Sequence, residues 1–361
     1  IDQVMSTYRD DAQLAQFNAH AANQAFTVDP SLTDVLAIAH EVSEQSSGAF
    51  DVTVSPLVDL WGFGPGGKVE HQPTPTAIAS AQASMGYTKL NLDIDAHTLI
   101  KTHAELKVEL SSIAPGYAAD QLSELLAKSG YANSMVEVGG EVFTRGHNQD
   151  GATWKIGIEQ PLPTRQALHS LVGISGQGLA TSGDYRNYFT LDGVTYSHAI
   201  DPSTGWPVKN PPASVSVLHK SCMTADAWAT TLMILGTEKG LALVKAEGLS
   251  VMFQNVTDGE VTESATGQFA ERKAASLPWF PFVAAAVIFL IAVAGMAIGA
   301  ILQNKSIKGS CGGLASMPGT EGKSICELCT IPKDECTNAE LKEKMQRAAA
   351  ERTECEVTEP T

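Results

Sequence analysis

Apolar positions repeat along this chain at two periods. Leu32, Val35, Leu36, Ala39 and Val42 recur at the three-and-four spacing of a helix face. Asp29 and Pro30 suit the start of that helix and Gly48 its end. AFDVTVS, residues 49–55, alternates like a strand before Pro56. TPTAIASAQASMG predicts a second helix, and two strands are expected around NLDIDAH. VELSSIAPGYAADQLSELLAKSG then reads as a strand, a turn of small residues and an amphipathic helix closed by Gly130. Strand signals dominate residues 134–199 and include a hairpin about Asp192-Gly193. SVSVLH supplies another strand, 224–247 a long helix with Ala227, Thr231, Ile234 and Leu235 on its apolar side, and Asp258-Gly259 the turn of a last hairpin. Helices and strands alternate irregularly, which predicts one α+β domain with a mixed sheet over residues 1–270.

The pattern then changes. Residues 274–304 carry no charge, and their centre, LPWFPFVAAAVIFLIAVAGMAIGAIL, exceeds the roughly 20 apolar residues that cross a bilayer core. A linker and one transmembrane helix are therefore expected over 271–304, with Trp279 as an interfacial anchor. Residues 305–361 hold too few large apolar side chains for a core of their own and predict a cysteine-rich tail with a disordered C-terminus.

Composition narrows the partners. Acidic residues outnumber basic ones 40 to 24, giving a net charge of -16, and no Lys/Arg cluster interleaves with aromatics, so no nucleic-acid partner is expected. Of six cysteines only Cys222 precedes the apolar run. Cys326-x-x-Cys329 with Cys336 and Cys311 nearby suits zinc or an iron–sulfur unit, with disulfides as the alternative in an oxidising compartment.

Candidate chemistry concentrates in YSHAIDPSTGWPV and TADAWATT. His198, Asp201, Ser203 and Thr204 crowd the first segment, and Asp226 and Thr230 stand four residues apart in the second. On a helix that spacing stacks two oxygen ligands on one face, which suits a hard cation such as Mg2+. A turn followed by a capped helix would read the same way. WGFGPGG lacks the spacing of a phosphate-binding fingerprint, whereas the turn before YAADQL exposes backbone donors at a helix start.

MSTYRDD, SGAFDVTVSPLVDLWGFG, ELSSIAPGYAADQL, VEVGGEVFTRG, ATSGDYRNYF, YSHAIDPSTGWPV and TADAWATTLMILG follow one another in an order that resembles the ApbE-type FAD:protein FMN transferases. The resemblance implies transfer of FMN from FAD to a Ser or Thr of an acceptor protein, with release of AMP. It also implies that the chain begins inside the family pattern, after a lipoprotein signal and a first strand. Asp226, Thr230 and the carbonyl of Ala114 match the family's Mg2+ positions, and His198 matches its histidine, a proton acceptor. Met5, Tyr8, Trp61, Asp120, Gly139, Gly140, Glu141, Thr181, Ser182 and Gly183 are the implied FAD contacts, while Asp201 and Thr204 brace the histidine loop. FLIAVAGMAIGAILQNKSIKGSCGGL with its downstream cysteines resembles NqrM-type maturation proteins of the sodium-pumping NADH:quinone oxidoreductase. That second resemblance implies iron at Cys311, Cys326, Cys329 and Cys336 and subunits of that oxidoreductase as flavin acceptors. Together the two imply a single-pass protein of a bacterial inner membrane, its transferase domain periplasmic and its cysteine tail cytoplasmic.

One departure stands out: Pro115 occupies the place of the family's lysine, removing a cation beside the phosphates, with Arg186 as a candidate replacement. A membrane-anchored flavin- and iron-binding assembly factor without transfer, or an FAD pyrophosphatase, are the competing readings.

Overall fold

The computed structural model describes residues 1–64, 67, 69, 71–162, 167–184, 188–191, 193–274 and 287–291. The chain divides into two compact units, Ile1–Ser276 and Leu277–Thr361. In the first, α1 (Asp2–Met5), α2 (Gln13–Ala19) and β1 (Phe26–Thr27) lead into α3 (Pro30–Gln45), α4 (Ser55–Leu60) and α5 (Pro75–Ser84). The hairpin β2 (Leu90–Asp93) and β3 (Thr98–Lys101) precedes α6 (Ala114–Lys128). Next come β4 (Ser134–Val138), β5 (Glu141–Arg145), β6 (Trp154–Glu159), β7 (Leu168–Ile174) and β8 (Gln177–Gly183). Two small pieces of sheet follow as β9 (Tyr188–Leu191) with β10 (Val194–Ser197), then β11 (Ile200–Asp201) with β12 (Trp206–Pro207). β13 (Ser214–His219), α7 (Cys222–Glu247), β14 (Ser250–Thr257), β15 (Glu260–Ala265) and α8 (Gln268–Ala274) complete the unit.

The central sheet has six strands in the order β15-β14-β13-β8-β5-β4, with antiparallel pairing throughout. Side chains alternate between its faces because the strand period is two. Ala180, Val215, Val217, Val251 and Phe253 enter the main core with α3 and α7, while Leu179, Leu218 and Met252 enter a second core with Ile158, Val172, Ile174 and Phe269. Both faces are thus covered around β13 and β14, which explains why SVSVLH is buried at almost every position. A third core joins α4, α5 and the β9–β10 hairpin around Leu57, Trp61, Ile78 and Phe189. Each large apolar side chain so buried contributes about 1.5–3 kcal/mol.

Local chemistry sets most boundaries. Asp29 Oδ1 accepts the Ser31 N–H at 2.9 Å and caps α3, and Thr74 does the same for α5 through Ala77. Thr257 pairs with Glu260 across Asp258 and Gly259, both at positive φ, as a two-residue hairpin turn requires. Leu191 faces Val194 across the turn expected at 192–193. The helix expected over 224–247 starts two residues earlier and kinks at Gly236 (φ 76°).

Two expected strands are absent. Within 49–55 the Asp51 carboxylate accepts the Thr53 N–H and hydroxyl and the Tyr87 N–H, folding the segment into turns, and α4 starts at Ser55. A side chain that captures nearby backbone donors competes with a strand ladder, and here it wins. Residues 108–110 form no strand either. They are held by Asn18, whose amide exchanges two 2.8 Å hydrogen bonds with the Val108 backbone, and by the Glu109 N–H donating to the Val52 carbonyl. The fully buried Lys101 anchors the same region, its Nζ donating to the Asn18 and Leu106 carbonyls; burial lowers its pKa.

Among the described residues no helix is long and apolar enough to cross a membrane. Most of the expected span lies outside them; residues 287–291 are helical with exposed apolar side chains. The four tail cysteines, Cys311, Cys326, Cys329 and Cys336, also lie outside the described residues.

α6 crosses α7 in close contact at Gly116. A Cβ on Gly116 would stand 2.5 Å from the Cys222 carbonyl oxygen and 2.8 Å from the Asp226 Cβ. Gly116→Ala should therefore destabilise the protein by about 1–3 kcal/mol despite alanine's better helix propensity. A urea midpoint equal to that of the wild type would refute this packing.

Candidate active site

β5 pairs with β8 only through Val142–Leu179, Phe143–Gly178 and Thr144–Gln177, whereas β8 runs on to Gly183 beside β13. Beyond the end of β5 the sheet opens. The gap becomes one side of a cleft of about 1210 Å³, which also takes in the β4–β5 turn, the start of α6, two turns of α7, β6 and the loop after β10. The cleft lies where one strand outlasts its neighbour, so among the described residues no strand pairs with residues 180–183 on that side.

Asp226 is the buried anchor of this cleft. It is 5 % exposed, and its Oδ2 accepts the Gly116 N–H at 3.0 Å. Burial pushes its carboxyl well above the usual aspartate range; Glu141 and Glu109 raise it further and the Gly116 N–H opposes them. Glu141 is raised by burial to about 7, its own backbone N–H opposing and Glu137 adding to the shift. Glu109 also lines the cleft, raised by burial although its two oxygens accept the Ser111 N–H and hydroxyl. Three acidic groups thus share one poorly solvated place. One turn after Asp226, Thr230 lines the cleft with its Oγ1 3.3 Å from the Ser182 Oγ.

His198 faces the cleft from the loop that follows β10. Its Nδ1 lies 3.9 Å from the Asp184 Oδ1, an ion-pair distance rather than a hydrogen bond, and Phe63 meets its ring edge-on. The Ser197 hydroxyl donates to Asp184 and in turn accepts the Ala199 N–H, tying that carboxylate to the loop. Asp201 binds the Ser203 N–H and hydroxyl and, through its carbonyl, the Gly205 N–H. This brace was legible in DPSTG; the role of Asp184 was not, although it stands within the quoted block ATSGDYRNYF.

The structure brings together Tyr8, Gly139, Gly140, Glu141, Thr181, Ser182, Gly183, His198, Asp226 and Thr230 on the cleft. Ala114 lies at the start of α6, two residues before the Gly116 N–H that binds Asp226. Three expected FAD contacts stand elsewhere. Met5 is in the main core, and Trp61 is buried in the third core with its Nε1 donating to the Gly205 carbonyl, beneath the histidine loop. Asp120 caps α7: its carboxylate accepts the Cys222 and Met223 N–H groups and the Ser221 hydroxyl. An aspartate inside a helix pattern gives no sign of which remote backbone it will cap. Glu109, Ser111 and Lys155, cleft residues that sequence reasoning missed, carried no motif signal. Pro115 lines the cleft where the expected lysine would stand, and Arg186 lies outside the described residues.

Family models match the ApbE family over residues 1–253 and the (Na+)-NQR maturation protein NqrM over residues 300–351. The chain belongs to the ApbE family. Among curated relatives, FAD:protein FMN transferase of Vibrio cholerae is 42 % identical over 74 % of this chain and 80 % of its own. The protein of that name in Salmonella typhimurium is 40 % identical over 72 % of this chain and 74 % of its own. The solved flavin transferase ApbE from Vibrio cholerae aligns with a TM-score of 0.69 at 41 % identity, covering 75 % of this chain and 85 % of that one. The apo flavinyl transferase ApbE of Pseudomonas stutzeri gives 0.70 at 39 %, covering 76 % and 85 %. The α+β fold expected from the sequence is thus the fold of the ApbE family, with a central sheet that is antiparallel among the described residues rather than mixed as expected.

Folding raises the Glu141 carboxyl from about 4.5 to about 7. Its contribution to stability is therefore full at the acid end of that window and is lost as pH rises through 7. In metal-free protein, Glu141→Gln should flatten the fall in urea midpoint between pH 4.5 and 7; a slope unchanged from the wild type would refute the shift.

Proposed function

We propose that this chain is an FAD:protein FMN transferase, and that the cleft uniting Asp226, Thr230, Glu141, His198 and the 181–183 backbone is where FAD is split. That assembly carries the reading, and relatives named for the same reaction support it. An acceptor Ser or Thr oxygen attacks the phosphorus on the FMN side of the pyrophosphate. A phosphoester forms, the bond to the AMP oxygen breaks, and AMP leaves with the bonding electrons. His198 takes the hydroxyl proton, and Asp184 holds the ring and favours the imidazolium that results. A positioned base of this kind is worth about 10² to 10⁴ in rate. Tyr8 at the rim, the Gly139-Gly140-Glu141 turn and residues 181–183 hold the nucleotide, while Met5 and Trp61 support those walls from behind.

Mg2+ fits the chemistry of the donors. Asp226, the Thr230 hydroxyl and the Ala114 carbonyl are all oxygens, and Asp226 is a buried carboxylate that has a backbone donor and acidic neighbours. When bound, the cation would neutralise phosphate charge.

Pro115 favours a second reading, a flavin binder without transfer, because no lysine stands at the start of α6. Full-length protein with FAD, Mg2+ and a flavin-acceptor peptide should release AMP and add the mass of FMN to the peptide. Asp226→Ala should abolish both, and Pro115→Lys should raise turnover. Bound flavin without AMP would select the binder, AMP without peptide modification the FAD pyrophosphatase, and normal AMP release by the Asp226 variant would overturn the site.

The NqrM match supports a role in maturing the sodium-pumping NADH:quinone oxidoreductase, with its subunits as acceptors and iron at Cys311, Cys326, Cys329 and Cys336. A single span within 274–304 would place the transferase domain in the periplasm and the tail in the reducing cytoplasm, which iron delivery requires. In intact cells an impermeant thiol reagent should leave Cys326 unmodified; ready labelling would place the tail outside.

A further inference from the structure

β6 pairs with β7 alone among the described residues, so its other edge has no strand beside it. Five consecutive residues of β6, Lys155 through Glu159, line the cleft. Side chains of a strand alternate between two faces. A strand therefore contributes consecutive residues to one wall only when its backbone edge is turned to it, with N–H and C=O groups offered to the space. Natural sheets guard such edges with charge. Here Lys155 and Glu159 stand toward the ends, the ladder with β7 is irregular between Ile158 and Glu159, and the uncharged middle, Ile156 to Ile158, centres on Gly157.

The same cleft contains the Asp226 and His198 side chains and the unpaired stretch of β8. At about 1210 Å³ it exceeds the roughly 300–1,000 Å³ of a typical small-molecule site. Room remains beyond a nucleotide. We propose that an extended segment of the flavin-acceptor protein occupies it, adding to the β6–β7 hairpin as a third strand along the β6 edge and so presenting its Ser or Thr to the reacting centre. This rests on the transferase reading. Main-chain pairing supplies affinity with little demand on sequence, and the alternation of the added strand turns one side chain inward while its neighbours point away.

Two measurements test the docking separately from the chemistry. In the first, the FAD-loaded protein is mixed with an extended peptide from an acceptor subunit of the sodium-pumping oxidoreductase, its acceptor Ser or Thr replaced by alanine. Amide hydrogen exchange should slow within residues 155–159. Protection confined to other segments, or none, overturns the proposal. In the second, reactive peptides carrying a single backbone N-methyl group are compared for FMN transfer. Each methyl on an N–H that faces β6 should lower kcat/KM by about 2- to 10-fold, the worth of one hydrogen bond, and methyls at the alternating positions should not. Equal tolerance at every position, or sensitivity without the period of two, overturns it. If no peptide is flavinylated yet residues 155–159 are protected, the docking stands and the transferase reading fails.

Discussion

The site depends on how closely α6 approaches α7. Only a residue without a side chain allows the Gly116 backbone to lie against Cys222, and at that distance its N–H reaches the Asp226 carboxylate. Packing and electrostatics are the same contact here. The start of α6 supplies a donor where a buried acid needs one, and the acid ties the two helices directly to each other. Burial raises the Asp226 carboxyl above its usual range, as it does those of Glu141 and Glu109. A place that strains to hold negative charge is one that gains from a cation and from donors on a phosphate.

The sheet supplies the room. Because β5 ends at Glu141 while β8 continues, the opening is made by strand length and needs no special loop. The β4–β5 turn, the β8 backbone and the histidine loop then reach one cavity from three parts of the sequence. The third core, with Trp61 hydrogen-bonded to Gly205, keeps the loop carrying His198 in place.

Much of this was legible in the sequence wherever a local rule decides the structure. Asp29 before Pro30, Thr74 before Pro75 and Asp258-Gly259 each act on residues within a few positions, so their caps and turn could be read directly. The Asp226/Thr230 pair was legible because helical spacing puts both on one side. Long-range polar contacts were not. Asp51 binds Thr53 and Tyr87 and so removes an expected strand, Asp120 caps a helix far along the chain, and Asp184 reaches His198 across a hairpin. In each case the residue type is visible and the partner is settled only by the fold. Lys101 is the extreme case, a fully buried lysine whose Nζ donates to two backbone carbonyls from a segment that reads as an ordinary strand.

The cap on α7 carries a further consequence. Asp120 and Ser221 fix the first turn of that helix, and Asp226 and Thr230 follow at a set count from it. An α-helix turns about 100° per residue. Adding or losing one residue between Ser221 and Asp226 would rotate both oxygens out of the cleft while every core contact upstream stayed intact. Length in this short stretch is held as strictly as identity.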